Sequence, residues 1–66
     1  MQTAQFPGST SLASATYNED DERMSITFRN GRSYTFHNVP QDVFDGLRDA
    51  GSPGSYFASA IKGQYG

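Results

Sequence analysis

A single histidine, His37, and four consecutive carboxylates, Glu19, Asp20, Asp21 and Glu22, are the groups in this chain suited to acid–base, metal or electrostatic chemistry. Sulfur chemistry is absent, because without cysteine there is no thiol nucleophile, no thiolate ligand and no disulfide. A zinc site at His37 would need three carboxylate or water ligands, and no carboxylate lies beside it in sequence. His37 therefore reads as a surface or helix-capping residue. Serines and aspartates are plentiful enough for a Ser/His/Asp set, but a chain of 66 residues has little depth for a pocket that excludes water. No catalytic, cofactor-binding or metal-ligating residue is assigned, no cofactor is expected, and the chain reads as non-enzymatic.

The acidic run lacks the alternating ligands and the central glycine of a calcium loop. It reads as a solvated hairpin tip, kept open by mutual repulsion. Its functional reading is an acidic contact for a basic partner, such as a protein surface that normally binds nucleic acid. Of the five basic residues, Arg29 and Arg32 cluster at one hairpin tip. With Ser25, Thr27, Thr35 and His37 they would offer a modestly basic sheet face to a phosphate backbone. A net charge of −2 argues against that reading, since nucleic-acid binders usually carry a clear excess of Lys and Arg.

The elements that must position these residues belong to a small domain. A chain this short buries only about 60% of its unfolded surface, and its core supplies about 3–5 kcal/mol. Residues 1–10 hold one bulky apolar side chain, Phe6, followed by Pro7 and Gly8, so they read as a flexible arm preceding one domain at 11–66. Residues 1–12 have no basic residue and no long apolar run, so neither a secretory leader nor a membrane anchor is expected. The expected location is the cytoplasm.

Three alternating segments, 12–17, 24–28 and 33–36, are rich in β-branched and aromatic residues and read as strands. A two-residue loop at Asn30 and Gly31 would set Ile26 opposite Thr35 and put the two strands' large apolar side chains on opposite faces. A three-residue loop, Arg29, Asn30 and Gly31, with Gly31 at positive φ in a bulge, sets Ile26 opposite Tyr34 and Met24 opposite Phe36. That register predicts one dry face with Met24, Ile26, Phe28, Tyr34 and Phe36, and one wet face with Ser25, Thr27, Arg29, Ser33, Thr35 and His37. No aromatic is then free to stack on a base.

After Pro40 the period changes. Val43, Phe44, Leu47 and Ala50 form a helical stripe, Gly51 suits a left-handed cap, and Ser52 and Pro53 open a second helix over about 53–62, stopped at Gly63. Tyr56, Phe57, Ala60 and Ile61 make its apolar stripe. The fold class is α+β: a three-stranded antiparallel meander followed by two helices packed on its dry face, β-β-β-α-α. The predicted core is Met24, Ile26, Phe28, Tyr34, Phe36, Val43, Phe44, Leu47, Tyr56, Phe57 and Ile61.

The run from Arg29 to Pro40, with Val43-Phe44 and then Ala50-Gly51-Ser52-Pro53-Gly54-Ser55-Tyr56-Phe57, resembles the KTSC domain. That module occurs at the C-terminus of some lysyl-tRNA synthetases and as free-standing small proteins of bacteria and phages. Its tyrosine-x-tyrosine, valine-proline and serine-x-glycine-x-tyrosine-phenylalanine features match Tyr34-Thr35-Phe36, Val39-Pro40 and the stretch from Ser52 to Phe57. Ser11, Leu12, Tyr17 and Asn18 resemble its first strand. The association with a tRNA-charging enzyme implies RNA binding, although Phe36 replaces the second tyrosine and lacks the hydroxyl of a polar contact. Gly54 would let the last helix approach a neighbouring backbone closely.

The function expected from these features is that of a small binding module acting through a protein partner, as a bacterial or phage accessory or inhibitory protein. Glu19, Asp20, Asp21 and Glu22 are its candidate contacts. The first strand, low in charge and at a sheet edge, is a candidate for pairing with a second copy into a homodimer. The alternative is RNA or nucleic-acid binding through Arg29, Arg32 and His37.

Overall fold

In the computed structural model, which describes residues 1–65, the chain forms β1 (Gln2–Gln5), β2 (Leu12–Asn18), β3 (Arg23–Phe28), β4 (Ser33–Phe36) and α1 (Gln41–Asp49). It ends in α2 (Pro53–Tyr56), which runs directly into a π-helical turn, Phe57–Ile61. The sheet is an antiparallel meander in the order β1-β2-β3-β4. The α+β class and the order of strands before helices are as predicted, but there are four strands instead of three.

The extra strand comes from the stretch read as an arm. Gln2 to Gln5 pairs with β2, Ala4 opposite Ala15, and Phe6 behind it is buried. A single aromatic with small neighbours is enough here because β2 supplies the main-chain partners and the core receives the Phe6 ring. A reciprocal amide pair, Gln2 with Gln41 at 2.9 and 2.8 Å, fastens β1 to the start of α1. β2 is therefore an interior strand, and the edge proposed for self-pairing at 12–17 is already covered by β1.

The three-residue loop holds. Met24 lies opposite Phe36 and Ile26 opposite Tyr34, Gly31 has φ 88°, and the Phe28 N–H donates to the Arg32 carbonyl at 2.8 Å. A second irregularity, between Leu12 and Ser14, shifts the register of β2 against β3. That bulge lets Leu12 face the core together with Ala15 and Tyr17, although their spacing is odd. Gly51 is not left-handed. The chain leaves α1 through an extended Ala50 (φ −66°, ψ 137°), which leads directly into Ser52 and Pro53.

The helices cover the dry face of the sheet, most fully over its interior strands. Ala4, Phe6, Leu12, Ala15, Tyr17, Met24, Ile26, Val39, Phe44, Leu47 and Ile61 are buried. Phe28, Phe36, Val43, Tyr56 and Phe57 are only partly buried against this core, and Tyr34 is 48% exposed. The predicted core is thus displaced by one strand: Phe6 and Tyr17 are inside it, and the aromatics of β4 lie at its margin. Gly54 does make a close approach, but to the Ser11 side chain, whose Oγ would lie 3.3 Å from a Cβ placed at residue 54.

Candidate functional site

The acidic run occupies the β2–β3 turn, and all four side chains are exposed. Asn18 caps the turn by accepting from the Asp20 N–H at 3.0 Å. Asp21 pairs with Arg23, and that hydrogen bond lowers the carboxyl below the ordinary carboxylate value. Glu22 adopts a left-handed conformation, φ 54°, and its carbonyl accepts from the Val39 N–H at 2.9 Å. The tip is therefore ordered by its own main chain and tied to the segment that enters α1.

Arg29, Arg32 and His37 do not form one patch. The Arg29 guanidinium folds back to donate to the Ser9 carbonyl at 3.0 Å and to the Phe6 carbonyl at 2.5 Å. It serves as a clasp on the chain between β1 and β2. Arg32 and His37 are exposed at opposite ends of β4, which at about 3.3 Å per residue puts their backbones well over 10 Å apart. Among the described residues, no three of His, Asp or Glu come together as a metal site. No helix among them is long and apolar enough to cross a membrane.

The wet face is a grid of small polar side chains. Ser25 and Thr35 bond at 3.2 Å, and Thr27 and Ser33 bond at 3.0 Å. A hollow of about 430 Å³ on it is lined by Met1, Thr16, Asn18, Arg23, Ser25 and Thr35. The Ser25–Thr35 and Arg23–Asp21 contacts already engage much of its polar capacity.

A different character marks the other side of β4. Phe28 and Tyr34 meet edge to face at 5.6 Å, Phe28 and Phe57 at 5.2 Å, and Phe36 and Phe57 at 5.8 Å. These four rings, with Asn30 and Lys62, line an open groove of about 380 Å³. Edge-to-face contacts account for part of the rings' packing, yet Tyr34 keeps nearly half its surface in water. The π turn shapes the far wall: the Lys62 N–H reaches the Phe57 carbonyl at 2.8 Å, so the wider turn brings Phe57 and Lys62 to the same groove.

Beside the groove runs an unpaired strand edge. The Phe28–Arg32 bond sets the alternation of the β3–β4 ladder, so Tyr34 and Phe36 direct their main-chain groups to β3. The main-chain groups of Ser33 and Thr35 then face outward, along the exposed side of a terminal strand. Sequence reasoning missed this site because Tyr34 and Phe36 share a face with the core residues Met24 and Ile26. The available signal was that β4, last in the meander, has a neighbouring strand on one side only.

The profile of the KTSC domain matches residues 8–65. A protein of Tsukamurella paurometabola is 28% identical over 57 residues, which cover 86% of this chain and 85% of that one. The crystal structure of a KTSC domain protein from Yersinia pestis superposes with a TM-score of 0.89 at 28% identity, over 97% of this chain and 89% of that chain. Three aromatics of the motifs noted above, Tyr34, Phe36 and Phe57, line the same groove.

Proposed function

This chain belongs to the KTSC domain family, and we propose that it works as a small non-enzymatic binding module, docking a protein partner on the groove between β4 and the π turn. One observation carries the reading: Tyr34 stands 48% exposed in a cluster of four aromatic rings, in a chain whose other large apolar side chains apart from Met1 are at least partly covered. Aromatic rings that are rigid and half wet are the usual anchors of protein interfaces. The acidic tip, Glu19 to Glu22, lies outside the groove in the β2–β3 turn and would contact basic groups elsewhere on the same partner. In a bacterium or its phage such a module would act as an accessory or inhibitory protein, through what it holds.

Affinity capture from the native host with the wild-type chain and with Tyr34→Ala tests this. The expected result is a protein retained by the wild type and lost with Tyr34→Ala, while Asp21→Asn retains it. Equal retention by the wild type and Tyr34→Ala would overturn the groove as the docking surface. Nucleic-acid binding through Arg29, Arg32 and His37 draws less support, because Arg29 is engaged with Ser9 and Phe6 and the other two are separated by β4. Binding of tRNA at low salt that disappears with Arg32→Ala would favour it instead.

A further inference from the structure

Main-chain groups and charges around the groove narrow down what it takes. β4 offers outward N–H and C=O groups at Ser33 and Thr35, and nothing in the sheet pairs with them. Exposed strand edges of this kind accept an additional strand, and alternate side chains of that strand then fall on one face. On the groove side those side chains would meet Tyr34, Phe36 and Phe57. On the other side they would meet the hydroxyls of Ser33 and Thr35.

Charge supplies the second constraint. Among the described residues, Arg23 pairs with Asp21, Arg48 pairs with Asp45 and Asp49, and Arg29 is bonded to backbone carbonyls. The two Lys or Arg side chains engaged neither in an ion pair nor with a backbone carbonyl are Lys62, which lines the groove, and Arg32, in the same turn as the groove residue Asn30. No carboxylate lines the groove; the four consecutive acids lie outside it in the β2–β3 turn, past the end of β4 where Phe36 pairs with Met24. A groove with aromatic walls, a lysine in its lining and no carboxylate there fits an acidic, apolar segment.

We infer that the groove binds an extended acidic segment of the partner, added as a fifth strand on β4. In it, a bulky apolar residue sits among Tyr34, Phe36 and Phe57, and a carboxylate two positions away meets Lys62. This rests on the protein-binding reading above and adds the mode and the chemistry of the ligand.

The test uses the full chain, isotope-labelled for amide NMR, and capped seven-residue peptides of threonine carrying phenylalanine and glutamate two positions apart, in either order. One control peptide has lysine for the glutamate, and a second has its backbone nitrogens methylated. At millimolar peptide, amide shifts are expected at Ser33, Tyr34, Thr35, Phe57 and Lys62. Methylation or Thr35→Pro is expected to weaken binding at least tenfold. Proline here removes an outward N–H and no ladder bond, so the sheet should persist.

Lys62→Glu is expected to reverse the preference, toward the lysine peptide. Equal affinity for the acidic and basic peptides, no effect of methylation, or no shifts along β4 would overturn the inference. So would concentration-dependent shifts of β4 without peptide, which would mean that a second copy occupies the edge. Tyr34-dependent capture of a protein that survives both Thr35→Pro and Lys62→Glu would leave the binding module standing and remove only this mode.

Discussion

The Tyr17 hydroxyl donates to the Val39 carbonyl at 2.6 Å inside the core, and the Tyr17 ring stacks on Phe44 at 5.2 Å. One side chain of β2 thereby satisfies the segment that leads from β4 into α1 and packs against that helix. Tyr17→Phe keeps the stacking and leaves a buried carbonyl without its partner, at a cost of about 1–3 kcal/mol. In a domain of this size, each 1 kcal/mol lowers the melting temperature by about 4–8 °C, so calorimetry will resolve the loss.

The same phenol gives the protein an alkaline limit. Burial pushes its pKa above the ordinary 10.0, and the carboxylates of Glu22, Glu19, Asp42 and Asp45 raise it further. The unfolded chain releases this proton near the ordinary value while the folded chain still holds it. Its contribution is therefore fully present below about pH 10 and is lost as the pH rises past that value. Denaturation measured across this range should show a fall in the wild type that is shallower in Tyr17→Phe. Glu19→Gln with Glu22→Gln should move the Tyr17 titration downward, followed by phenolate absorbance, without bringing it to the ordinary value, because burial is the larger cause.

Tyr56 lies across the open side of Gly46, and a Cβ placed at residue 46 would sit 2.2 Å from its hydroxyl and 2.7 Å from its Cζ. In an exposed helix interior, glycine to alanine stabilises by about 1 kcal/mol. Here Gly46→Ala forces the Tyr56 ring out of place and should destabilise by about 1–3 kcal/mol. In a Tyr56→Ala background the same change should cost nothing or stabilise, which a double-mutant cycle by chemical denaturation will measure.

Phe6 is buried behind β1. Phe6→Ala should cost about 3–5 kcal/mol, comparable to what the core of so small a domain supplies. Far-ultraviolet circular dichroism should therefore show Phe6→Ala largely unfolded at 37 °C. An unchanged spectrum and melting temperature would mean that residues 1–10 are dispensable.

Much of this fold is legible in local pattern. The odd-length β3–β4 loop follows from keeping Met24, Ile26, Tyr34 and Phe36 on one face, and Gly31 supplies the positive φ that this loop needs. Pro40 and Pro53 mark the helix starts because proline fits where the first N–H groups have no partner. β1 was not legible. Gln2, Thr3 and Gln5 carry no apolar alternation, and their pairing depends on partners nine to fifteen residues away.

The candidate site divides along the same line. From the sequence alone came the acidic turn at Glu19 to Glu22, the exposure of Arg32 and His37, and the face on which Tyr34 and Phe36 lie. Those are properties of short segments, set by alternation, turn chemistry and charge. Only the tertiary structure decided that Arg29 is used up as a clasp, that β1 covers the edge of β2, and that Tyr34, Phe36, Phe57 and Lys62 open onto a groove. Alternation assigns a side chain to a face of a sheet, but whether that face is covered depends on where distant helices come to rest. In this chain they bury Met24 and Ile26 on β3 and leave Tyr34 on β4 half exposed.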